Sequence, residues 1–155
     1  MDVKYLNPIL NATNDVFQTM MQIEPERGNI SVREEIVTDN EANVIIGLTG
    51  DIEGSIVFSF SKEIALNIVN KMAGMEIDEI DKFVSSAIGE MANIISGKAS
   101  TGLAEQSYEC NIAPPQTVIG KESKISTGTD NILSVELNTD LGDFQVNFSM
   151  VKNNK

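Results

Sequence analysis

Histidine is absent from the sequence and cysteine occurs once. Without histidine there is no Ser-His or Cys-His nucleophile pair and no His-based zinc site. The lone Cys110 excludes an internal disulfide, and within the strand-like stretch YECNIA it reads as a small buried apolar group. Basic residues are also scarce: 11 Lys and Arg against 23 Asp and Glu leave a net charge of −12, with no basic cluster. Such a surface repels phosphate backbones and anionic lipids, which argues against nucleic acid and membrane as partners. No apolar run is long enough to span a bilayer, and the start MDVKYLNPIL lacks the basic region and apolar core of a signal peptide, so a cytoplasmic protein is expected. A Gly-rich phosphate loop is missing too. TGDIEG, Thr49 to Gly54, lacks the lysine and reads as a hairpin turn between strands. Any chemistry must run on carboxylates, amides, hydroxyls or groups the substrate brings.

What is present amounts to one domain, residues 1–155, large enough to bury a core. It is organised around Asp78 to Gln106. Ile80, Phe83, Val84, Ala87, Ile88, Met91, Ile94 and Ile95 recur at three- and four-residue steps, the spacing of one buried face of an α-helix. Asp78, with Asp81 three residues on, is placed to cap its first turn. A second stripe, Ser86, Glu90, Asn93 and Gly97, follows the same rhythm along another side. Small residues surround it: Ser85, Gly89, Ser96 and Ser100. Each glycine inside a helix costs about 1 kcal/mol relative to alanine, so Gly89, Gly97 and Gly102 call for a reason. Either another element of the same chain packs closely there, or Glu90 and Asn93 rise from a low surface onto which a partner settles.

Elsewhere, Val3 to Met21 has a helical apolar face with Pro8 a weak point near its start. Asn29 to Thr38, Ala42 to Thr49 and Ile52 to Phe60 are rich in β-branched and aromatic residues, with turns at Asp39-Asn40 and Gly50-Asp51, and read as an antiparallel meander. Ser61 caps a helix through Met72 that Gly74 ends. After the central helix come strands at Tyr108 to Ile112, Thr117 to Ile119, Ile132 to Leu137 and Phe144 to Val151, the last two a hairpin around Asp140 and Gly142. Helix, three strands, two helices, several strands is an α+β order, in two similar helix-plus-meander halves.

The spacing Ser86, three residues, Glu90, two residues, Asn93, twenty-one residues, Pro115 resembles the (Asp/Ser)-x3-Glu-x2-Asn-x21-Pro signature of the CheC/CheX/FliY phosphatases of bacterial chemotaxis. One copy of the signature makes the chain more similar to CheX than to CheC, and Gly47 to Phe60 resembles the strand-turn-strand preceding the two central helices of CheX. Asn7, Asn11 and Asn14 repeat the spacing in the first helix, but Asn11 is no carboxylate and Ile36 stands where the proline belongs, so that helix is read as non-catalytic. The resemblance implies a CheC-like fold and hydrolysis of the aspartyl phosphate of a phosphorylated CheY-type response regulator. Asn93 would position the attacking water, and Glu90 would pair with the lysine beside the partner's phosphoaspartate. Ser86, Gly89, Gly97 and Pro115 would support the partner contact, Pro115 by stiffening the chain. The protein would need no cofactor of its own, Mg²⁺ being carried by the regulator. A homodimer joined along sheet edges is implied as well, and ANVIIGLT and FQVNFSMV are strands able to pair in trans. Alternatives are a non-catalytic CheC-like adaptor that docks a phosphorylated regulator or a chemotaxis or flagellar protein, and an output domain of another two-component pathway.

Overall fold

The computed structural model describes residues 5–38, 40–120, 123–125 and 132–153, so Val3 of the expected first helix and Asp39 of the expected turn lie outside the described residues. In chain order the elements are α1 (Leu6–Met21), β1 (Glu26–Arg33), β2 (Ile36–Thr38), β3 (Ala42–Gly50), β4 (Ile52–Phe60), α2 (Lys62–Ala73), α3 (Lys82–Glu105), β5 (Cys110–Ile112), β6 (Gln116–Ile119), β7 (Ser123–Ile125), β8 (Ile132–Thr139) and β9 (Gly142–Lys152). The class is α+β with an antiparallel sheet. Pro8 sits in the first turn of α1, where a missing N–H breaks no helical hydrogen bond. Ser61 caps α2 by accepting the Ile64 N–H at 3.2 Å, and Gly74 closes it with φ 64°.

α3 starts later than its apolar pattern suggests. Asp81, in extended backbone, is the cap and accepts the Val84 N–H at 2.9 Å, so Asp78 and Ile80 precede the helix. Phe83 is likewise no core residue. It is 49% exposed, because Val84, one position and about 100° further round, takes the inward direction.

The main sheet has seven strands in the order β1-β8-β9-β4-β3-β5, with β6 also on β3. The expected single strand Asn29 to Thr38 breaks at the exposed Glu34-Glu35 bend, and β2 leaves to pair with β7 in a separate ribbon. Nor do the first three strands form a meander. β1 pairs with β8, Glu26 against Asn138 through Arg33 against Ile132, while β5 and β6 pair with β3. Each half of the chain thus keeps one hairpin, β3–β4 or β8–β9, and lends its first strand to the hairpin of the other. β4 and β9 join the halves at the centre.

Phe144, Val146 and Phe148 of β9 face the helices with Ile56, Phe58 and Phe60 of β4, and Phe17 of α1 stacks on Phe144 at 5.1 Å between ring centres. On the alternate positions lie buried polar groups: Asn43, Ser59, Ser134, Asn147 and Ser149. Asn147 Nδ2 donates to Val57 O at 3.2 Å and to Ser59 Oγ at 3.3 Å. Burial on both faces makes β9 an inner strand, and β3 is inner as well, so neither ANVIIGLT nor FQVNFSMV offers an edge for pairing in trans. The sheet instead ends at β1, where Ile30 and Val32 are 47% and 73% exposed, and at β5 and β6.

Candidate functional site

α3 packs against α1 and against the β3, β5 and β6 side of the sheet. Val84, Ile88, Met91, Ala92, Ile95, Ala99 and Leu103 are buried, which fixes the helix's rotation and turns Ser86 and Glu90 to the surface, with Asn93 and Gly97 half-buried beside them. Glu90 and Asn93 are separated by about 4.5 Å of rise and 60° of turn, so their polar tips share one patch. Among the described residues neither side chain has a hydrogen-bond or ion-pair partner. An amide and a carboxylate left unengaged side by side can hold a water and a cation supplied from outside.

The three helical glycines divide. A Cβ on Gly89 would come 3.2 Å from Thr117 Oγ1 and 4.0 Å from Pro115 Cγ, so this buried glycine admits the chain's own β6 segment. One on Gly102 would stand 3.0 Å from Pro8 Cβ, where α1 crosses α3. In front of Gly97 there is nothing within 4 Å. Same-chain packing thus accounts for two glycines, and Gly97 alone leaves open space on the stripe of Ser86, Glu90 and Asn93. Among the small serines, Ser100 Oγ donates to Cys110 O at 3.0 Å and ties the helix to β5.

Pro115 reaches the stripe through chain length. From Gly89 to Glu105 the helix advances about 24 Å, and an extended return from Tyr108 covers about 23 Å by Pro115, bringing the proline back level with Gly89. Ile112 pairs with Leu48 and Gln116 with Ile45, leaving three residues opposite two. The extra residue is a bulge at Ala113-Pro114-Pro115, and two prolines that cannot donate to a ladder are suited to it. Ala113 N–H still donates to Gly47 O at 2.9 Å, anchoring the bulge beside α3. Ser86, Gly89, Glu90, Asn93 and Pro115 are thereby assembled along about two turns of α3, Pro115 beside Gly89.

This arrangement has close relatives. The family described as "Chemotaxis phosphatase CheX" matches residues 42–138, more than half of the chain. A CheY-P phosphatase CheX of Thermotoga maritima is 35% identical over 128 residues, covering 82% of this chain and 83% of that protein. The chain belongs to the CheX family. A CheC-like superfamily protein from Shewanella sp. PV-4 superposes with a TM-score of 0.90 at 27% identity, over 97% of this chain and 99% of that one. A CheX–CheY–BeF3–Mg²⁺ complex from Borrelia burgdorferi superposes with a TM-score of 0.82 at 28% identity, over 97% of this chain and 100% of that one.

Within the CheX fold, Asn7 and Asn11 line a groove of about 500 Å³ between α1 and α3, opposite Lys98, Thr101 and Glu105. Glu90 and Asn93 do not line this groove. Cys110 is half-buried in β5, and burial pushes its thiol up from the ordinary range, with Asp51 and Glu109 adding to the shift and a hydrogen bond to the Ile52 backbone opposing it. A thiol so held is a poor nucleophile. Among the described residues no group of three or more Cys, Asp or Glu is placed to hold a metal ion, and no helix is long and apolar enough to cross a membrane. Sequence reasoning missed Thr117, which flanks Gly89 on β6; nothing in its local pattern marks it.

Proposed function

We propose that this protein hydrolyses the aspartyl phosphate of a CheY-type response regulator. The observation that carries the reading is the pair Glu90 and Asn93, standing on one surface stripe of α3 with no partner among the described residues, beside the open space at Gly97. The CheX relative named for CheY-P phosphatase activity and the relative in complex with CheY support it.

An acyl phosphate is already reactive, so catalysis consists mainly of holding a water in line and stabilising charge. The Asn93 amide suits this work. Its oxygen accepts a hydrogen from the water, its Nδ2 donates toward the phosphoryl group, and it carries no charge to repel the phosphoryl oxygens. The water oxygen attacks phosphorus, the bond to the aspartate oxygen breaks with its electron pair going to that oxygen, and inorganic phosphate carrying the water's oxygen and protons leaves while the regulator's aspartate is restored as a carboxylate. Glu90, one turn away, pairs with the ammonium of the lysine beside the partner's phosphoaspartate and fixes the approach. The Mg²⁺ is the regulator's, and the protein acts where the regulator does, in the cytoplasm. In a homodimer, β1 is the strand placed to pair with its copy, with Ile30 and Val32 at the contact.

The test is loss of phosphoryl group from a phosphorylated CheY-type regulator in Mg²⁺ with catalytic amounts of protein. Acceleration that falls at least a hundredfold in Asn93→Ala and Glu90→Ala, with binding retained in Asn93→Ala, is expected. Binding without acceleration by the wild-type protein would refute the phosphatase reading and favour an adaptor.

A further inference from the structure

Five of the six phenylalanines are buried, at 0% exposure for Phe17, Phe58, Phe60 and Phe148 and 2% for Phe144. Phe83 is 49% exposed. Its place on α3 is specific: the steps 83, 86, 90, 93, 97 continue the stripe of Ser86, Glu90, Asn93 and Gly97 one turn toward the helix start. Seven residues put Phe83 about 10 Å along the axis from Glu90 and within about 20° of the same direction. Asn93 is about 15 Å away along the axis.

A specific protein interface buries about 800 Å² on each partner, a disc of roughly 16 Å radius. A contact centred between Glu90 and Asn93 therefore extends over Phe83 on the same helix side. Phe83 falls about 13 Å from the centre, inside that footprint, and aromatic side chains are enriched at interfaces because they bring a large rigid apolar area at little entropic cost. Leaving such a ring in water gives the free chain nothing.

We infer that Phe83 is the apolar anchor for the phosphorylated receiver domain: it enters a hydrophobic socket on the regulator next to the phosphorylated face, and so sets partner choice while Glu90 and Asn93 do the chemistry. This rests on the phosphatase reading for the identity of the occupant. Phe83 touches no reacting atom, so its loss acts on docking. The prediction is a split in kinetic constants: Phe83→Ala raises KM for the phosphorylated regulator at least tenfold and leaves kcat within twofold.

The experiment is steady-state dephosphorylation with wild type, Phe83→Ala, Phe83→Gln, Phe83→Leu and Val151→Ala, alongside calorimetric binding of the regulator activated with beryllium fluoride and Mg²⁺. Phe83→Gln keeps the side-chain stem without the ring and serves if the alanine variant is poorly folded. Phe83→Leu recovers most of the affinity, and Val151→Ala, which trims a 61%-exposed apolar residue of β9, changes neither constant. Wild-type KM and affinity in both ring-less variants overturn the inference and leave the phosphatase reading untouched. A wild type that binds without turnover overturns the phosphatase reading, and the binding series still decides whether Phe83 is the anchor.

Discussion

Gly97→Ala separates the stability of the free chain from the activity of the docked one. Gly97 lies inside α3, and an added Cβ meets nothing within 4 Å. The substitution therefore gains the helix-propensity difference, up to about 1 kcal/mol, with no steric term against it. For a chain of this size that is an upward shift of about 2–4 °C in Tm. With a urea slope near 2 kcal/mol/M, the midpoint rises by about 0.5 M and the slope is unchanged. Gly97 is also about 6 Å along the axis from Asn93 and on the same stripe, so a methyl there lifts the partner off the amide. Misplacement of a reacting group by about 1 Å costs up to a hundredfold, and a loss of at least tenfold in kcat/KM is expected. Urea titration by circular dichroism and the dephosphorylation assay read the two effects on one preparation. A lowered midpoint would show that the space over Gly97 is not open. A stabilised variant with wild-type kcat/KM would show that the partner does not sit there.

Gly102→Ala, five residues further along α3, has the opposite sign: its Cβ meets the rigid Pro8 ring at 3.0 Å, and a net loss of about 1–2 kcal/mol is expected from the same titration, where stabilisation would refute the packing account. Cys110 gives a pH dependence. Its thiol holds its proton more tightly in the folded chain, so its contribution to stability is full below the unfolded thiol value of about 8.5 and declines as pH rises through and beyond it. The difference in urea midpoint between wild type and Cys110→Ala should shrink above that pH; a difference constant from pH 7 to 10 would refute the burial argument.

Local periodicity carried much of this architecture into view. The stripe of Ser86, Glu90, Asn93 and Gly97 is legible because helical neighbours are fixed by spacing alone, and the two hairpins because turn residues stand between apolar alternations. Phe83 fits the apolar period equally well, yet period does not say which of two adjacent apolar residues, Phe83 or Val84, the sheet will cover. The cap misled for a similar reason: Asp78 and Asp81 are both suitable side chains, and only the backbone chooses Asp81. Strand partners are less legible still. β1 has the composition of any edge strand, and its pairing with β8, more than a hundred residues later, leaves no trace in either segment. The same holds for Thr117 beside Gly89, a contact made by a returning chain.

The exchange of first strands between the two halves makes the halves mutually dependent. α3 carries the stripe, but the hairpin β8–β9 of its own half is bordered by β1, which comes from the half led by α1. Removing the first half would strip β8 of a neighbour, expose one side of β9 and take away Pro8, against which Gly102 is fitted. A helix without the signature therefore stays in place for mechanical reasons: it and its strands are the jig that holds the other helix at its angle. Folding inherits the same constraint. The β1–β8 ladder closes a loop of most of the chain, a non-local pairing whose closure entropy slows folding and which a cut between the halves would lose.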